Sequence, residues 1–159
     1  MPEEPIPTAE PSPCYATAMR KASRRLTQLY DDALLPCGLR STQLAILSEL
    51  ERRSQAPPTV QELADSLVMD RSALGHNLRP LERDGFLALQ ESPADRRRRL
   101  IVMTPQGKAK HDEARRLWRT AQDRFHEIFG TTDAASLRAT LLDIAYDERL
   151  ATLRAPLRD

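Results

Sequence analysis

The segment from Thr59 to Gly107 constrains the fold more than any other part of the chain, because it reads as helix, turn, helix and hairpin in that order. Thr59-Val60-Gln61-Glu62-Leu63-Ala64-Asp65-Ser66-Leu67 has helical spacing and opens on a Thr…Glu capping box, Thr59 to Glu62. After a short link, a second helix is expected from Asp70 to about Asp84. Phe86-Leu87-Ala88-Leu89-Gln90 follows, then a turn at Ser92-Pro93-Ala94-Asp95, four arginines (Arg96, Arg97, Arg98, Arg99) and the strand-like Leu100-Ile101-Val102-Met103. Two helices and a turn arise easily by chance. The same pair followed by an arginine-tipped hairpin is much more restrictive.

The second helix divides cleanly by angle. At ~100° per residue, Leu74, Leu78 and Leu81 share one narrow face while Ser72, His76, Arg79 and Arg83 cluster opposite them. A helix that enters a major groove needs that division, with one apolar side anchored and one polar side free for base edges and phosphates. An ordinary solvated face would give the same pattern, and the arginine hairpin beside it is what favours DNA. Pro80 removes a backbone donor inside this helix, and Gly75 weakens it further, so a bend is expected near His76 to Pro80.

These residues resemble a known family. Met69 to Leu74 and Asn77-Leu78-Arg79-Pro80-Leu81-Glu82-Arg83-Asp84-Gly85 look like the recognition helix of MarR-type winged-helix regulators. Asp95-Arg96-Arg97, followed by Met103-Thr104-Pro105-Gln106-Gly107, looks like that family's wing: an acidic residue, an arginine at the tip, then a strand closing on Thr-x-x-Gly. Gly38-Leu39-Arg40-Ser41-Thr42-Gln43-Leu44 resembles the start of the family's second helix. The likeness runs from Tyr15 to Leu153 with its motifs in order. Gly75-His76 departs from it, standing where related sequences often carry a hydroxyl residue and an arginine.

The implied fold is mainly α with a small β-hairpin wing, a winged helix-turn-helix between N- and C-terminal dimerisation helices. Its expected parts are a flexible, proline-rich arm over 1–13, a first dimerisation helix over 14–38, the DNA-binding domain over 39–107, and dimerisation helices over 108–155. The implied DNA contacts are Arg71, Ser72, Ala73, His76, Asn77, Arg79 and Arg83 from the helix, with Asp95, Arg96, Arg97 and Arg98 from the wing.

Charge agrees with a local interface. The chain's net charge is only +1, yet Arg71, Arg79, Arg83 and Arg96 to Arg99 are seven of its 24 basic residues. A length of 159 residues suits one domain or one protomer of a dimer. No apolar run approaches the ~18 residues that a spanning helix needs. Met1 to Pro13 holds five prolines and three glutamates, a mobile arm and not a signal peptide, so a cytoplasmic protein is expected.

The flanks look built for a partner. Tyr15 to Leu35 spaces Met19, Ala22, Leu26, Leu29 and Ala33 along one helical face, ended by Pro36 and Gly38. Gln43 to Glu51 continues with Leu44, Leu47 and Leu50. Lys108 to Phe129 carries Ala114, Leu117, Ala121, Phe125 and Ile128, and a last helix from Thr132-Asp133 carries Leu137, Leu141, Ile144, Leu150 and Leu153. In the resembling family such helices interlock as a homodimer, whose symmetry suits a pseudo-palindromic double-stranded DNA operator. A monomer with its terminal helices packed on its own core is the alternative.

Catalysis finds no footing. HExxH, GxSxG and GxxxxGK(S/T) are absent, and His76, His111 and His126 show no ligand spacing. His111 and His126 read as surface or groove residues. Cys14 and Cys37 lie 23 positions apart without a CxxC, so neither metal nor cofactor is expected.

The expected function is therefore a dimeric regulator of transcription, a repressor released from its operator by a small ligand. The resemblance implies a pocket for phenolic or aromatic carboxylic compounds, and Tyr30, Arg40, Gln43, Leu44 and Trp118 are its candidate lining; each could equally be core. Two other readings stay open. Cys14 follows Ser12-Pro13 at a helix start, where backbone donors favour a thiolate. The hydroperoxide-sensing branch of the family carries a reactive cysteine in this region; Tyr30 has a counterpart there, whereas Ser41 replaces a second helper tyrosine. The chain could also act as an architectural or protein-contact protein without an inducer. Cys37 reads as a small packing residue.

Overall fold

A computed structural model of the chain describes residues 12–151. The elements, in order, are α1 (Tyr15–Leu34), a 3-10 turn (Leu35–Cys37), α2 (Ser41–Arg52), α3 (Val60–Ser66), α4 (Arg71–Arg83), β1 (Leu87–Glu91), β2 (Arg99–Met103), α5 (Pro105–Phe129), α6 (Thr131–Ala145) and α7 (Glu148–Ala151). The strands form an antiparallel hairpin in which Leu87 pairs with Met103 and Glu91 with Arg99. Thr59 adds an isolated bridge to Leu100, and Ile101 N donates to Pro58 O at 2.8 Å, so the approach to α3 lies along the hairpin's edge.

One core joins these elements. Leu34, Ile46, Leu47, Leu63, Leu74, Leu81 and Ile101 are all fully buried, with Leu50, Leu78, Leu87 and Ala114 beside them. Burying a leucine or isoleucine side chain contributes about 1.5–3 kcal/mol. The apolar stripes of α2, α3 and α4 thus secure the hairpin, and α2 packs in turn against α5.

Local chemistry sets the boundaries. Thr59 Oγ1 accepts from Glu62 N at 3.2 Å and Glu62 Oε2 accepts from Thr59 N at 2.7 Å, completing the expected capping box. Asp70 Oδ1 caps α4 by accepting from Ala73 N at 2.7 Å. Asp31 of α1 accepts from Ser41 N at 2.7 Å, so α2 starts two residues before the expected Gln43. Thr104 Oγ1 accepts from Gly107 N at 3.0 Å, with Pro105 in the first turn, and α5 therefore starts at Pro105 instead of Lys108. The expected boundary after Gly107 accordingly falls inside α5.

The Thr-x-x-Gly signature has a steric cause. A Cβ at Gly107 would overlap the carbonyl of Phe86, which also accepts from Thr104 N at 3.1 Å. Gly85, at φ 77°, supplies the left-handed turn that carries α4 into β1.

One expectation changes. The last helix does not run on through Leu150: α6 ends at Ala145, and Asp147 Oδ1 accepts from Arg149 N at 2.9 Å to start α7. Leu153 and positions 152–155 lie outside the described residues, as does the arm apart from Ser12 and Pro13. Through Pro80, α4 runs without a break, because Leu74, Leu78 and Leu81 hold both sides of the proline in the core.

Candidate nucleic-acid interface and cavity

The polar side of α4 is open to solvent. Arg71, Ser72, His76, Arg79 and Arg83 are exposed, opposite the buried Leu74, Leu78 and Leu81. Asn77 points elsewhere: its Nδ2 donates to Ala73 O at 2.9 Å, and both residues are half-buried. Arg83 is partly engaged, with Nε 2.9 Å from Asp84 Oδ1, a hydrogen bond and charge that raise the guanidinium pKa further.

The hairpin tip is held by Asp95. Its Oδ1 accepts from Arg97 N at 2.9 Å, its carbonyl accepts from Arg98 N at 2.9 Å, and Ser92 N donates to Arg98 O at 2.9 Å. Asp95 therefore shapes the turn that displays Arg96 and Arg97, both exposed. Arg98 bends back instead, its Nη2 3.0 Å from Glu62 Oε1 on α3. The Thr59 backbone and hydroxyl, and then Arg98, hold the Glu62 carboxyl below its ordinary pKa. Arg71, Arg97, Arg98 and Arg99 line a groove between α3 and the hairpin. Arg99, counted in the local basic cluster but not among the individual expected contacts, lines this groove as well.

A cavity of about 620 Å³ opens between α1, α2, α5 and α6. Tyr30, Leu44 and Trp118 line it. Arg40 and Gln43 stand outside it: Arg40 pairs with Asp31 at 3.2 Å, and Gln43 Oε1 accepts from Arg40 N at 2.9 Å, so both are occupied at the start of α2. Sequence reasoning missed Ser48, Glu51 and Arg52 of α2, His111 and Arg115 of α5 and Arg138 of α6, which also line the wall.

His111 corrects the expectation of a surface or groove histidine. It is 1 % exposed, and its Nε2 lies 3.1 Å from Ser48 Oγ. Its spacing with Gly107, Ala114 and Ala121, all buried on α5, was the signal for an inward face. Burial, and then the Lys108 charge, lower its pKa below the ordinary histidine value. One turn earlier, Lys108 bridges Glu51 of α2 at 2.8 Å and Asp112 at 2.9 Å. Tyr30 OH donates to Gln122 Oε1 at 2.7 Å, and burial raises the phenol pKa. The cavity thus sits where α1, α5 and α6 meet α2.

The two cysteines are free and differ in setting. Cys37 is buried, its thiol donating to Leu34 O at 3.1 Å. Cys14 is exposed just before α1, where the nearby Thr17 side chain and the Thr17 and Ala16 backbone donors at the helix start lower its pKa. Among the described residues no cluster suits a metal ion, and no helix is long and apolar enough to cross a membrane.

A capped helix-turn-helix with an exposed second helix and an arginine-tipped hairpin defines a winged helix-turn-helix protein. The MarR family model matches residues 38–98. The solved structure of the M. tuberculosis transcriptional regulator MosR in complex with DNA is 30% identical, with 88% of this chain and 99% of that one covered and a TM-score of 0.76. The transcriptional repressor CouR bound to a 23-mer DNA duplex is 26% identical, covering 89% of this chain and 99% of that one at a TM-score of 0.80. CouR from Rhodococcus jostii RHA1 bound to p-coumaroyl-CoA matches in fold, at 24% identity, coverage of 87% and 97%, and a TM-score of 0.74. No curated protein sequence matches the chain. The chain belongs to the MarR family of transcriptional regulators.

Proposed function

We infer that the protein is a cytoplasmic, homodimeric repressor that binds a pseudo-palindromic DNA operator and leaves it when a small aromatic anion occupies the cavity between α2 and α5. One observation carries the DNA reading. The exposed side of α4, with Ser72, His76 and Arg79, shares the molecule's surface with Arg96 and Arg97 at the hairpin tip, while the leucine face of α4 is locked in the core. In this reading α4 enters a major groove. Ser72, His76 and Arg79 face bases or phosphates, and Arg97 reaches the flanking minor groove, whose negative potential favours guanidinium. Arg71, Arg83 and Arg96 contact phosphates. Ala73 and Asn77 shape the helix surface, Asp95 sets the turn, and Arg98 orients the hairpin through Glu62.

Two protomers place two recognition helices about 34 Å apart, one turn of the duplex. The exposed Ile128, Phe129, Leu142 and Ile144 supply apolar surface for the two-fold interface. That DNA-bound relatives carry the same fold supports the reading. An effector acts only if it binds the two helix spacings with different affinity. The cavity suits that role because its walls come both from α2, whose buried face packs against α4 and β2, and from the long α5. The aromatic faces of Tyr30 and Trp118 with Arg115 and Arg138 suit an organic anion, and CouR's thioester ligand offers a larger variant of the same chemistry.

Electrophoretic titration of operator DNA, with and without 4-hydroxybenzoate, tests both halves. Tight binding to a palindrome that the compound reverses is expected; sequence-independent binding would remove the operator reading, and no reversal by any aromatic acid would remove the cavity. A second reading rests on Cys14 and its lowered pKa. Operator release by an organic hydroperoxide in wild type but not in Cys14→Ser would make the thiol the switch, whereas equal behaviour would remove it.

A further inference from the structure

His111 is the titratable group buried in the wall of the effector cavity, and the operator-binding surface makes no use of it. Its Nε2 is taken by Ser48 of α2, whereas its Nδ1 is buried without a hydrogen-bond partner among the described residues. The nearest acceptor of opposite charge, Asp112 Oδ1, stands 3.7 Å from Nδ1, just beyond hydrogen-bond reach. An imidazole in this position is poorly served in its neutral form, since one ring nitrogen lacks a partner either as donor or as acceptor.

The charges around it come from every packed element. From α5 these are Lys108, Asp112 and Arg115; from α2, Glu51 and Arg52; from α1, the Tyr30 phenol; from α6, Arg138. Lys108 is shared between Glu51 and Asp112, and Arg52 pairs with Glu49. Arg115 and Arg138 have no carboxylate in ion-pair range among the described residues. The cavity wall therefore presents two exposed guanidinium groups without ion-pair partners among the described residues beside a buried histidine.

We propose that His111 is the charge-selecting residue of this cavity: an organic anion lodged beside Arg115 and Arg138 enters together with a proton taken up on His111 Nδ1. The inference rests on the cavity reading above and assigns its regulation. The proton comes from solvent and adds to the ring nitrogen, so anion and proton together leave the net charge of the site unchanged. Without an anion, burial and then the Lys108 charge lower the pKa of the ring and so favour its neutral form, against the opposing Glu51 and Asp112 charges. A bound anion offsets Arg115 and attracts the imidazolium, and the new Nδ1–H turns toward Asp112. A neutral analogue brings no such compensation and binds without a proton. The cavity thereby favours anions over their uncharged isosteres and does so more strongly at lower pH.

Calorimetric titration of the full-length protein with 4-hydroxybenzoate, and with the uncharged 4-hydroxybenzamide, tests this in two buffers of different protonation enthalpy. Between pH ~5.5 and ~7.5, around the ordinary histidine range, the benzoate is expected to bind with proton uptake. Its affinity is expected to rise by up to about tenfold per pH unit of acidification within the interval between the free and bound pKa. The amide is expected to show neither effect, and His111→Gln to bind the benzoate with a flat pH profile and no uptake. Benzoate binding without proton uptake, or the same uptake in His111→Gln, overturns the proposal while leaving the cavity intact. If neither compound binds at millimolar concentration, the cavity reading itself fails and the proposal with it. A folding defect in His111→Gln is bypassed by following the wild-type His111 ring by NMR. Its pKa is expected to rise when the benzoate binds, and an unchanged value overturns the proposal.

Discussion

The Glu62 carboxylate holds Arg98, with Oε1 3.0 Å from the guanidinium Nη2 while Oε2 accepts from the Thr59 backbone at 2.7 Å. One side chain thus caps α3 and ties the hairpin to it, separating Arg98 from its neighbours in a run of four arginines.

That separation gives a measurable difference between adjacent residues. Arg97→Ala is expected to weaken binding to every DNA sequence and to reduce the salt slope by about one counterion, near 0.9 in log–log units per phosphate contact. Arg98→Ala is expected to leave that slope close to wild type, because its charge is already paired. Binding titrations across a salt series check both, and equal slopes for the two variants would remove the distinction.

Two glycines are expected to respond oppositely to alanine. Gly107→Ala forces a Cβ into the Phe86 carbonyl, and overpacking of this kind costs about 1–3 kcal/mol. At Gly75 a Cβ meets nothing within 4 Å inside α4, and Ala there is expected to add ~1 kcal/mol. Urea unfolding of both variants reads the sign directly.

Val68, in the turn before α4, has φ 52° and is exposed. A β-branched side chain is strained in the left-handed region, which asparagine tolerates far better. Val68→Asn is expected to raise stability by about 1 kcal/mol, read as a higher denaturation midpoint.

Much of this architecture was legible in the sequence. The Thr59–Glu62 box, the leucine face of α4 and the Asp95-Arg96-Arg97 tip are local signals, with their causes within a few residues. The rest depended on distant partners. Arg98 meets Glu62 36 positions away, and His111 meets Ser48 63 positions away, separations that no spacing rule encodes. Arg40 turns from the cavity because Asp31 of α1 draws both its side chain and the Ser41 N–H to the start of α2, whereas Gln43 is taken by a local cap, its Oε1 accepting from Arg40 N. The end of α6 was misread because leucine periodicity continues past the Asp147 side chain that begins a new helix.

His111 also sets a pH dependence of folding. Its folded pKa is lowered from 6.5, so between the two values the unfolded chain binds more protons and stability rises with pH. This contribution is full above the ordinary histidine range and is lost as pH falls toward the lowered value. Thermal melts across that window are expected to show the slope in wild type and a weaker one in His111→Gln.

Ile144 is 45% exposed on the chain, so a charge there leaves the protomer's own core intact. Ile144→Glu is expected to yield folded monomers that sediment near 18.0 kDa, because a two-fold apolar interface would bury an unpaired carboxylate. A dimer unchanged by this substitution would place the interface elsewhere.

The most direct test is selection of bound duplexes from a random DNA pool by the full-length protein. The account predicts enrichment of a pseudo-palindrome with half-site centres about 10–10.5 base pairs apart, lost when Arg79→Ala replaces the wild type. Recovery of no two-fold sequence, or of the same palindrome by Arg79→Ala with equal affinity, would contradict recognition by α4.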